Sequence, residues 1–140
     1  MSGNRRQEAG YRREAEDGMP KQPPAQTFEQ LIVWQKSHQL TLLVYRITAA
    51  FPKDELYGLV SQMRRSAVSV SANIAEGFKR RKNPDKARCL NIAQGSPEEL
   101  RYYFILSRDL GYVKDRENER IDEVGRLLGA YVRTLLGNES

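Results

Sequence analysis

From Phe28 onward, apolar residues recur every three or four positions, and nowhere do they alternate over the length of a β-strand. This spacing places them on one face of an α-helix, so it predicts an all-α fold. The first predicted helix carries the stripe Leu31, Trp34, Leu40, Val44, Ile47 and Phe51. Pro52 disfavours helical geometry at the residue before it, so this helix is expected to end there.

Three further stripes follow, with short connections between them. The second begins after a candidate cap at Asp54 and contains Leu56, Leu59 or Val60, Met63, Ala67, Val70, Ile74 and Phe78. The third starts near Pro84 or Asp85 and contains Cys89, Ala93, Ser96, Leu100, Tyr103, Ser107 and Leu110. The fourth follows a candidate cap at Asp115 and contains Ile121, Val124, Leu128, Tyr131 and Leu135. Gly111 and Gly137 are expected to end the last two helices.

The sequence GSPEEL, residues 95–100, is typical of a helix start and so argues against a continuous third helix. Ser96, Pro97 and Glu99 have the spacing of a capping box that begins a new helix. A proline inside a helix costs about 3 kcal/mol, but the apolar stripe continues in register and its packing can offset that cost. We therefore expect a kinked helix that continues through Pro97.

Four helices of roughly twenty residues each, joined by short connections, predict an antiparallel up-and-down four-helix bundle over residues 28–138. Residues 1–27 contain few apolar side chains, three prolines, five basic residues and four acidic residues. A segment of this composition buries too little apolar surface to offset the conformational entropy that it loses on folding. We therefore expect residues 1–27 to form a disordered tail.

Positive charge is concentrated in one segment of the chain. The net charge is +5 overall, but it is 0 over residues 28–63, +6 over residues 64–88 and −2 over residues 89–140. The cations of the central segment are Arg64, Arg65, Lys79, Arg80, Arg81, Lys82, Lys86 and Arg88. A charge run of this kind is often only a solvated helix end. The scarcity of nearby acids favours a second reading, in which these cations bind the phosphates of RNA or DNA.

A strip of small side chains lies beside the cationic run and consists of Ser66, Ser69, Ala72, Asn73 and Gly77. Small residues let another helix approach closely, so the strip predicts packing inside the bundle, with a subunit interface as the alternative. Trp34 is expected to anchor the core rather than a neighbouring subunit. Tyr102 and Tyr103 cannot both face one core, and Tyr102 is the candidate for a subunit contact or for stacking on bases.

Residues suited to catalysis are few. The sequence has one histidine, His38, one cysteine, Cys89, and no glycine-rich phosphate loop. Because a metal site needs three or four ligands, we expect no enzyme, no metal and no cofactor. A single cysteine forms no intrachain disulfide, and no stretch is apolar enough for a membrane span or a signal peptide, so we expect a cytoplasmic protein.

Three motifs are similar to a known family: WQKSHQL, FPKDELYGLVSQMRRSAVSVSANIAEGFKRR and NIAQGSPEELRYYFILSRDLGYV. In order and spacing they resemble the four-helix-bundle proteins encoded in intervening sequences of bacterial large-subunit (23S) rRNA genes. That family is related to the accessory variability proteins of diversity-generating retroelements. The resemblance covers Phe28 to Leu136 and departs from the family pattern at Pro97.

The resemblance implies a basic, non-enzymatic homo-oligomer that forms a ring, with five subunits as the expected number. It also implies association with nucleic acid and, in the retroelement branch, with a reverse transcriptase. A second interface is favoured independently by apolar residues beside the main stripe of the first helix, namely Leu31, Ile32 and Leu43.

Two functions from different classes follow. The first is a nucleic-acid-binding accessory protein whose partner is a reverse transcriptase. The second is a structural oligomeric scaffold that binds an acidic protein and has no direct contact with nucleic acid. Lysine and arginine attract phosphates and acidic proteins alike, so the sequence leaves both functions open.

Overall fold

The structure, a computed structural model, describes residues 24–114 and 117–137. Within these residues it contains four α-helices and no β-strand. The helices are α1 (Ile32–Thr48), α2 (Leu59–Lys79), α3 (Asn83–Asp109) and α4 (Asn118–Gly137). Short 3₁₀ turns at Phe28–Gln30 and Lys53–Glu55 precede α1 and α2. The prediction of an all-α chain with four helices is confirmed.

The four helices enclose one apolar core. The contact between α2 and α3 is the most extensive, α1 packs on α2, and α4 contacts both α3 and α1. The largest fully buried side chains come from every helix and are Leu40, Met63, Ile74, Leu90, Leu100, Phe104, Ile121 and Leu128. Each helix therefore buries its apolar stripe against the others, which is the arrangement that the spacing of these residues favours.

The predicted stripe of α3 is too narrow. Leu90 and Phe104 are fully buried, whereas Tyr103 is half-buried and Leu110 is 49 % exposed. The reason is that α3 packs on α2 and also on α4, so its buried face is wide enough for a second row of side chains. The predicted stripe, with one residue per turn, includes only the row of α3 side chains that faces α2.

The prediction of a helix cap at Asp54 is wrong. Asp54 lies in the 3₁₀ turn, and α2 begins only at Leu59, so Leu56 lies outside the helix and is 48 % exposed. The N-cap residue is Gly58, which has no side chain to offer, and Glu55 Oε1 accepts a hydrogen bond of 3.2 Å from the Leu59 amide. A longer carboxylate side chain thus satisfies one of the amides that a helix start leaves without a partner.

Helix α3 runs through Pro97 without interruption, so the predicted continuation is confirmed and the local capping box at Ser96 does not begin a new helix. Ser96 and Pro97 are both buried. Ser96 Oγ lies 3.1 Å from the Ile92 carbonyl oxygen and 3.0 Å from Ser69 Oγ on α2. Close packing of this turn against α2 offsets the hydrogen bond that proline cannot donate.

Gly111 ends α3 in the way that the sequence predicts. Its φ is +84°, in the left-handed region that glycine adopts without strain. The Gly111 amide donates to the Arg108 carbonyl at 3.0 Å and the Tyr112 amide donates to the Ser107 carbonyl at 2.9 Å, which completes a Schellman motif. The candidate cap at Asp115 and most of the predicted tail, residues 1–23, lie outside the described residues.

Candidate nucleic-acid interface

The turn between α2 and α3 carries most of the predicted cations. Helix α2 ends at Lys79 and α3 begins at Asn83, so only residues 80–82 connect them. We name the cations on this turn and on the adjoining helix ends the cationic tip, which consists of Lys79, Arg80, Arg81, Lys82, Lys86 and Arg88. A connection of three residues keeps these six charges close together at one end of the helix pair.

Gly77 lets the two helices meet directly behind the cationic tip. A Cβ atom at this position would lie 3.4 Å from Cys89 Cβ and 3.4 Å from Leu90 Cδ2. Gly77 is buried and does not have a positive φ, so the space beside α3 admits a methyl group but not a larger side chain. The tip is therefore attached to a tightly packed part of the molecule.

Two cations of the tip interact with the chain itself. The Lys86 ammonium donates a hydrogen bond of 2.7 Å to the Gly77 carbonyl, at the end of α2 where the helix dipole favours positive charge. Arg80 pairs with Glu76 one turn earlier, and this hydrogen bond holds the pKa of the Glu76 carboxyl below its usual value. Both side chains thus stabilise the turn.

The other four cations of the tip are exposed, and they are Lys79, Arg81, Lys82 and Arg88. Across residues 24–114 and 117–137, none of these four forms an ion pair. The charges of Lys79, Arg81 and Lys82 are therefore solvated, whereas Arg88 forms no ion pair but, after Arg80, helps to lower the pKa of the nearby Glu76 carboxyl. A cluster of this kind raises the local concentration of polyanions.

Arg64 and Arg65 do not belong to the cationic tip. They lie about 22 Å from Lys79 along α2, at 1.5 Å per residue. Arg64 is half-buried against α1, where its Nε donates to Thr48 Oγ1 at 2.9 Å and its guanidinium lies 4.5 Å from the centre of the Tyr45 ring. The structure therefore divides the eight predicted cations into a group of six and a separate pair.

Arg65 is part of a polar network between α2 and α3. Its Nη2 donates to Glu99 Oε2 at 2.8 Å, Ser66 Oγ donates to Glu99 Oε1 at 3.1 Å, and the Tyr103 hydroxyl donates to Glu99 Oε2 at 3.2 Å. Desolvation opposes ionisation of Glu99, but the hydrogen bonds from Arg65 and Ser66 together hold its pKa below the usual value. The hydrogen bond to Glu99 raises the pKa of Arg65. Glu99 thus offsets the charge of Arg65.

The strip of small residues contacts α3 inside the bundle. Ser66 and Gly77 are buried, and Ser69 Oγ accepts a hydrogen bond of 3.0 Å from Ser96. Asn73 is half-buried, and its Nδ2 donates to the Ser69 carbonyl at 2.9 Å. Ser66 and Ser69 therefore bond across to α3, whereas the hydrogen bonds of Asn73 stay within α2 and Ala72 is exposed.

The two aromatic candidates occupy different environments. Trp34 is half-buried against the core, and its ring centre lies 5.0 Å from that of Phe28 and 5.0 Å from that of His38. Tyr102 is 56 % exposed on the outward face of α3, whereas Tyr103 is half-buried. Only Tyr102 of these rings has most of its surface available to a partner.

A groove between α1 and the start of α2 has no counterpart in the sequence predictions. It has a volume of about 480 Å³, and its principal lining residues are Tyr45, Leu56, Tyr57, Arg64, Arg65 and Val68. Tyr57 is 92 % exposed. Both tyrosines lie off the apolar stripes, so periodicity does not report them. Tyr57 precedes Arg64 by seven residues, but nothing in the sequence links Tyr45 to the arginines.

Other kinds of site have little support in the described part of the chain. Residues 24–114 and 117–137 contain no group of three or more histidine, cysteine, aspartate or glutamate side chains that could hold a metal ion. Cys89 is buried, and His38 stacks on Trp34. No helix within these residues is long and apolar enough to cross a membrane.

Known proteins support the fold and the family resemblance. The model of the 23S rRNA-intervening sequence protein family matches residues 29–130. A crystal structure from Bacteroides thetaiotaomicron, of a protein of unknown function from the S23 ribosomal protein family, is 23 % identical with a TM-score of 0.66. That similarity covers 73 % of this chain and 96 % of the other. No curated protein matches the sequence. Because the family model spans well over half of the sequence, the chain belongs to the 23S rRNA-intervening sequence protein family.

Proposed function

We propose that this protein is a non-enzymatic accessory protein that binds the phosphates of RNA or DNA through its cationic tip. The observation that carries the proposal is the set of four exposed tip cations that form no ion pair with any described residue, namely Lys79, Arg81, Lys82 and Arg88. Lysine and arginine on phosphates supply most of the affinity of non-specific binding. Phosphate contacts carry no sequence information, so little sequence preference is expected.

The chemistry of the remaining side chains supports a binding role rather than catalysis. The one histidine of the sequence stacks on Trp34, and the one cysteine lies in the core. A nucleophile requires a base within hydrogen-bond reach, and neither of these side chains is so placed relative to the other. We therefore propose no chemical step for this protein.

Two variants of equal net charge test the proposal. The tip variant replaces Lys79, Arg81, Lys82 and Arg88 with serine, and the control variant replaces Arg108, Lys114, Arg126 and Arg133, which are also exposed. Each set lowers the formal net charge by four, from +5 to +1. Fluorescence anisotropy with a labelled single-stranded RNA of about twenty nucleotides should show a loss of about tenfold or more for the tip variant. The control variant should lose much less.

Equal losses in the two variants would mean that net charge alone attracts nucleic acid, and the cationic tip would then not be a site. An unchanged affinity in the tip variant would favour the second function, a scaffold whose cations face an acidic protein. The two outcomes are separable because both variants are measured against the same RNA.

We infer an antiparallel, up-and-down arrangement of the helices from the order of their contacts. Thr41 Oγ1 lies 3.1 Å from the Ala67 carbonyl oxygen, whereas Thr48, later in α1, contacts Arg64, which is earlier in α2. Contacts between α2 and α3 follow the same descending order. Neighbouring helices that run in opposite directions need only the short connections seen here.

We also propose that the chain assembles into the homopentameric ring that the family resemblance implies. Most of the small-residue strip packs inside the bundle and only Ala72 is exposed, which favours a different surface as the contact between subunits. On the exposed side of α3, Ile92, Gly95 and Tyr102 follow one another at intervals of three and seven residues, and Ile92 and Tyr102 are 43 % and 56 % exposed. Apolar side chains left in water on one helix face support a contact with another subunit.

A reverse transcriptase is proposed as the protein partner on the strength of the motif resemblance to accessory variability proteins. The position of the gene tests this part of the proposal. A reverse-transcriptase gene and a template repeat beside it would support the retroelement context. A position inside a ribosomal RNA gene would contradict it and select the intervening-sequence context.

A further inference from the structure

The groove between α1 and the start of α2 contains two exposed aromatic rings beside two cations. Tyr57 is 92 % exposed and Tyr45 is 43 % exposed, and both line the groove with Arg64 and Arg65. The Tyr57 ring therefore has almost no contact with the rest of the chain. A large ring kept in water is suited to cover the flat face of a ligand.

Arg64 is held in place before any ligand arrives. Its Nε donates to Thr48 Oγ1 at 2.9 Å, its Nη2 lies 3.4 Å from the Tyr45 carbonyl oxygen, and its guanidinium lies 4.5 Å from the centre of the Tyr45 ring. Its Nη1 has no hydrogen-bond partner among the described residues. A fixed, planar cation loses little side-chain entropy when it binds a second flat group or an anion.

The charge of the groove restricts the ligand further. None of the described residues that line the groove is acidic, and Glu99, which neutralises Arg65 at 2.8 Å, is not among them. The exposed aliphatic lining is limited to Leu56 and Val68, at 48 % and 41 % exposure. The groove therefore offers aromatic rings and cations and little aliphatic surface. These features suit a ligand that has flat faces and negative charge.

We propose that this groove binds a short stretch of single-stranded nucleic acid, with a base stacked on Tyr57 and the Arg64 guanidinium on a neighbouring base or phosphate. The bases of a duplex stack on one another and cannot reach the ring, so the groove selects single strands. This inference rests on the proposed function, because it adds a surface for bases to a protein whose cationic tip binds phosphates. The two surfaces are about 22 Å apart along α2.

The test compares two ligands and two variants of the full chain. The ligands are a fluorescein-labelled oligouridylate of about ten nucleotides and an abasic strand with the same number of phosphates. The variants are Tyr57→Leu, which removes the ring, and Tyr57→Phe, which keeps it. Because Tyr57 is almost fully exposed, neither change should alter folding, and circular dichroism checks this.

We expect Tyr57→Leu to weaken binding of the oligouridylate about fivefold or more, the loss of one stacked base, and to leave binding of the abasic strand unchanged. Tyr57→Phe should bind both strands as the native chain does. The inference is overturned if Tyr57→Leu leaves the affinities for the oligouridylate and the abasic strand unchanged, or if it lowers both affinities equally. It is also overturned if Tyr57→Leu reduces the oligomer mass in light scattering without changing affinity for RNA, since the groove would then contact protein.

Failure of this inference can be told apart from failure of the proposed function. If the native chain binds both strands equally and only the cationic tip variant loses affinity, the tip is a phosphate site and the groove is not a base site. If the native chain binds neither strand, both proposals are wrong.

Discussion

At the scale of single residues, the pKa of Glu99 is set by two opposing effects, because desolvation raises it and hydrogen bonds lower it. The Glu99 carboxylate accepts hydrogen bonds from Arg65 and Ser66, which join α2 to α3, and from Tyr103 on its own helix. These contacts hold the folded-state pKa of Glu99 below the value of 4.5 that the group has in the absence of interactions. The ionised carboxylate therefore stabilises the folded chain.

The pH dependence follows from the sign of that shift. A group whose pKa is lowered by folding adds stability above its unfolded pKa, and that stability is lost as pH falls through the folded pKa. The unfolding free energy should therefore drop below about pH 4.5 more steeply in the native chain than in a Glu99→Gln variant. Urea denaturation between about pH 3 and pH 7 measures this difference. Parallel curves for the two proteins would contradict the role of Glu99.

Gly77 is the second residue with a sharp expected effect. A Cβ atom there meets Cys89 and Leu90 at 3.4 Å, a normal contact distance, so Gly77→Ala should leave the fold intact. Gly77→Leu should separate α2 from α3 and lower the unfolding free energy by about 1–3 kcal/mol. Chemical denaturation of both variants tests this, and a leucine variant as stable as the native chain would show that the helices are not in close contact.

Exposure of the cationic run could be predicted from the sequence, because an unpaired charge is costly to bury. The partners of Arg64 and Arg65 could not be predicted. Arg65 pairs with Glu99, which is 34 residues away in sequence, and Arg64 bonds to Thr48 on another helix. Contacts between helices of this kind depend on how the helices are rotated, which local spacing does not report. Tyr57 lies in a connection rather than on an apolar stripe, so helical spacing does not point to it.

At the scale of helices, the apolar spacing predicted four elements of the right type. The spacing was less informative about where each helix begins and about how wide its buried face is. Glu55, rather than Asp54, accepts a hydrogen bond from the first amide of α2, because the chain forms a 3₁₀ turn first. Helical spacing did not predict that Phe104 is buried, because α3 contacts two helices and buries a wider face than one stripe covers. Both errors arise from tertiary packing, which local propensity does not encode.

Pro97 gives the clearest prediction for a helix. Replacement by alanine supplies an amide that can bond to the Ala93 carbonyl, a gain of about 3 kcal/mol in an interior position. Loss of two buried methylene groups of the ring costs about 1.6 kcal/mol. Pro97→Ala should therefore raise the unfolding free energy by about 1 kcal/mol, seen as a higher thermal midpoint. A lower midpoint would mean that the volume of the proline ring stabilises α3 more than the added hydrogen bond does.

At the scale of the whole molecule, the exposed face of α3 predicts assembly. Multi-angle light scattering should give a mass of about 80 kDa, five times the 16.1 kDa of one chain. Replacing both Ile92 and Tyr102 with glutamate should lower the mass while helicity is retained, because both side chains are exposed in the single chain. A native chain that is monomeric at micromolar concentration would contradict the proposed ring.

The central claim is that the exposed cations of the tip contact phosphates. The most direct measurement is the affinity for single-stranded RNA as a function of salt, for the native chain and for the variant with serine at Lys79, Arg81, Lys82 and Arg88. Each phosphate contact contributes about −0.7 to the slope of log affinity against log salt on a single strand, so loss of four contacts should reduce the slope by about 2.8. A variant with the native slope would show that these cations do not contact the phosphates of RNA.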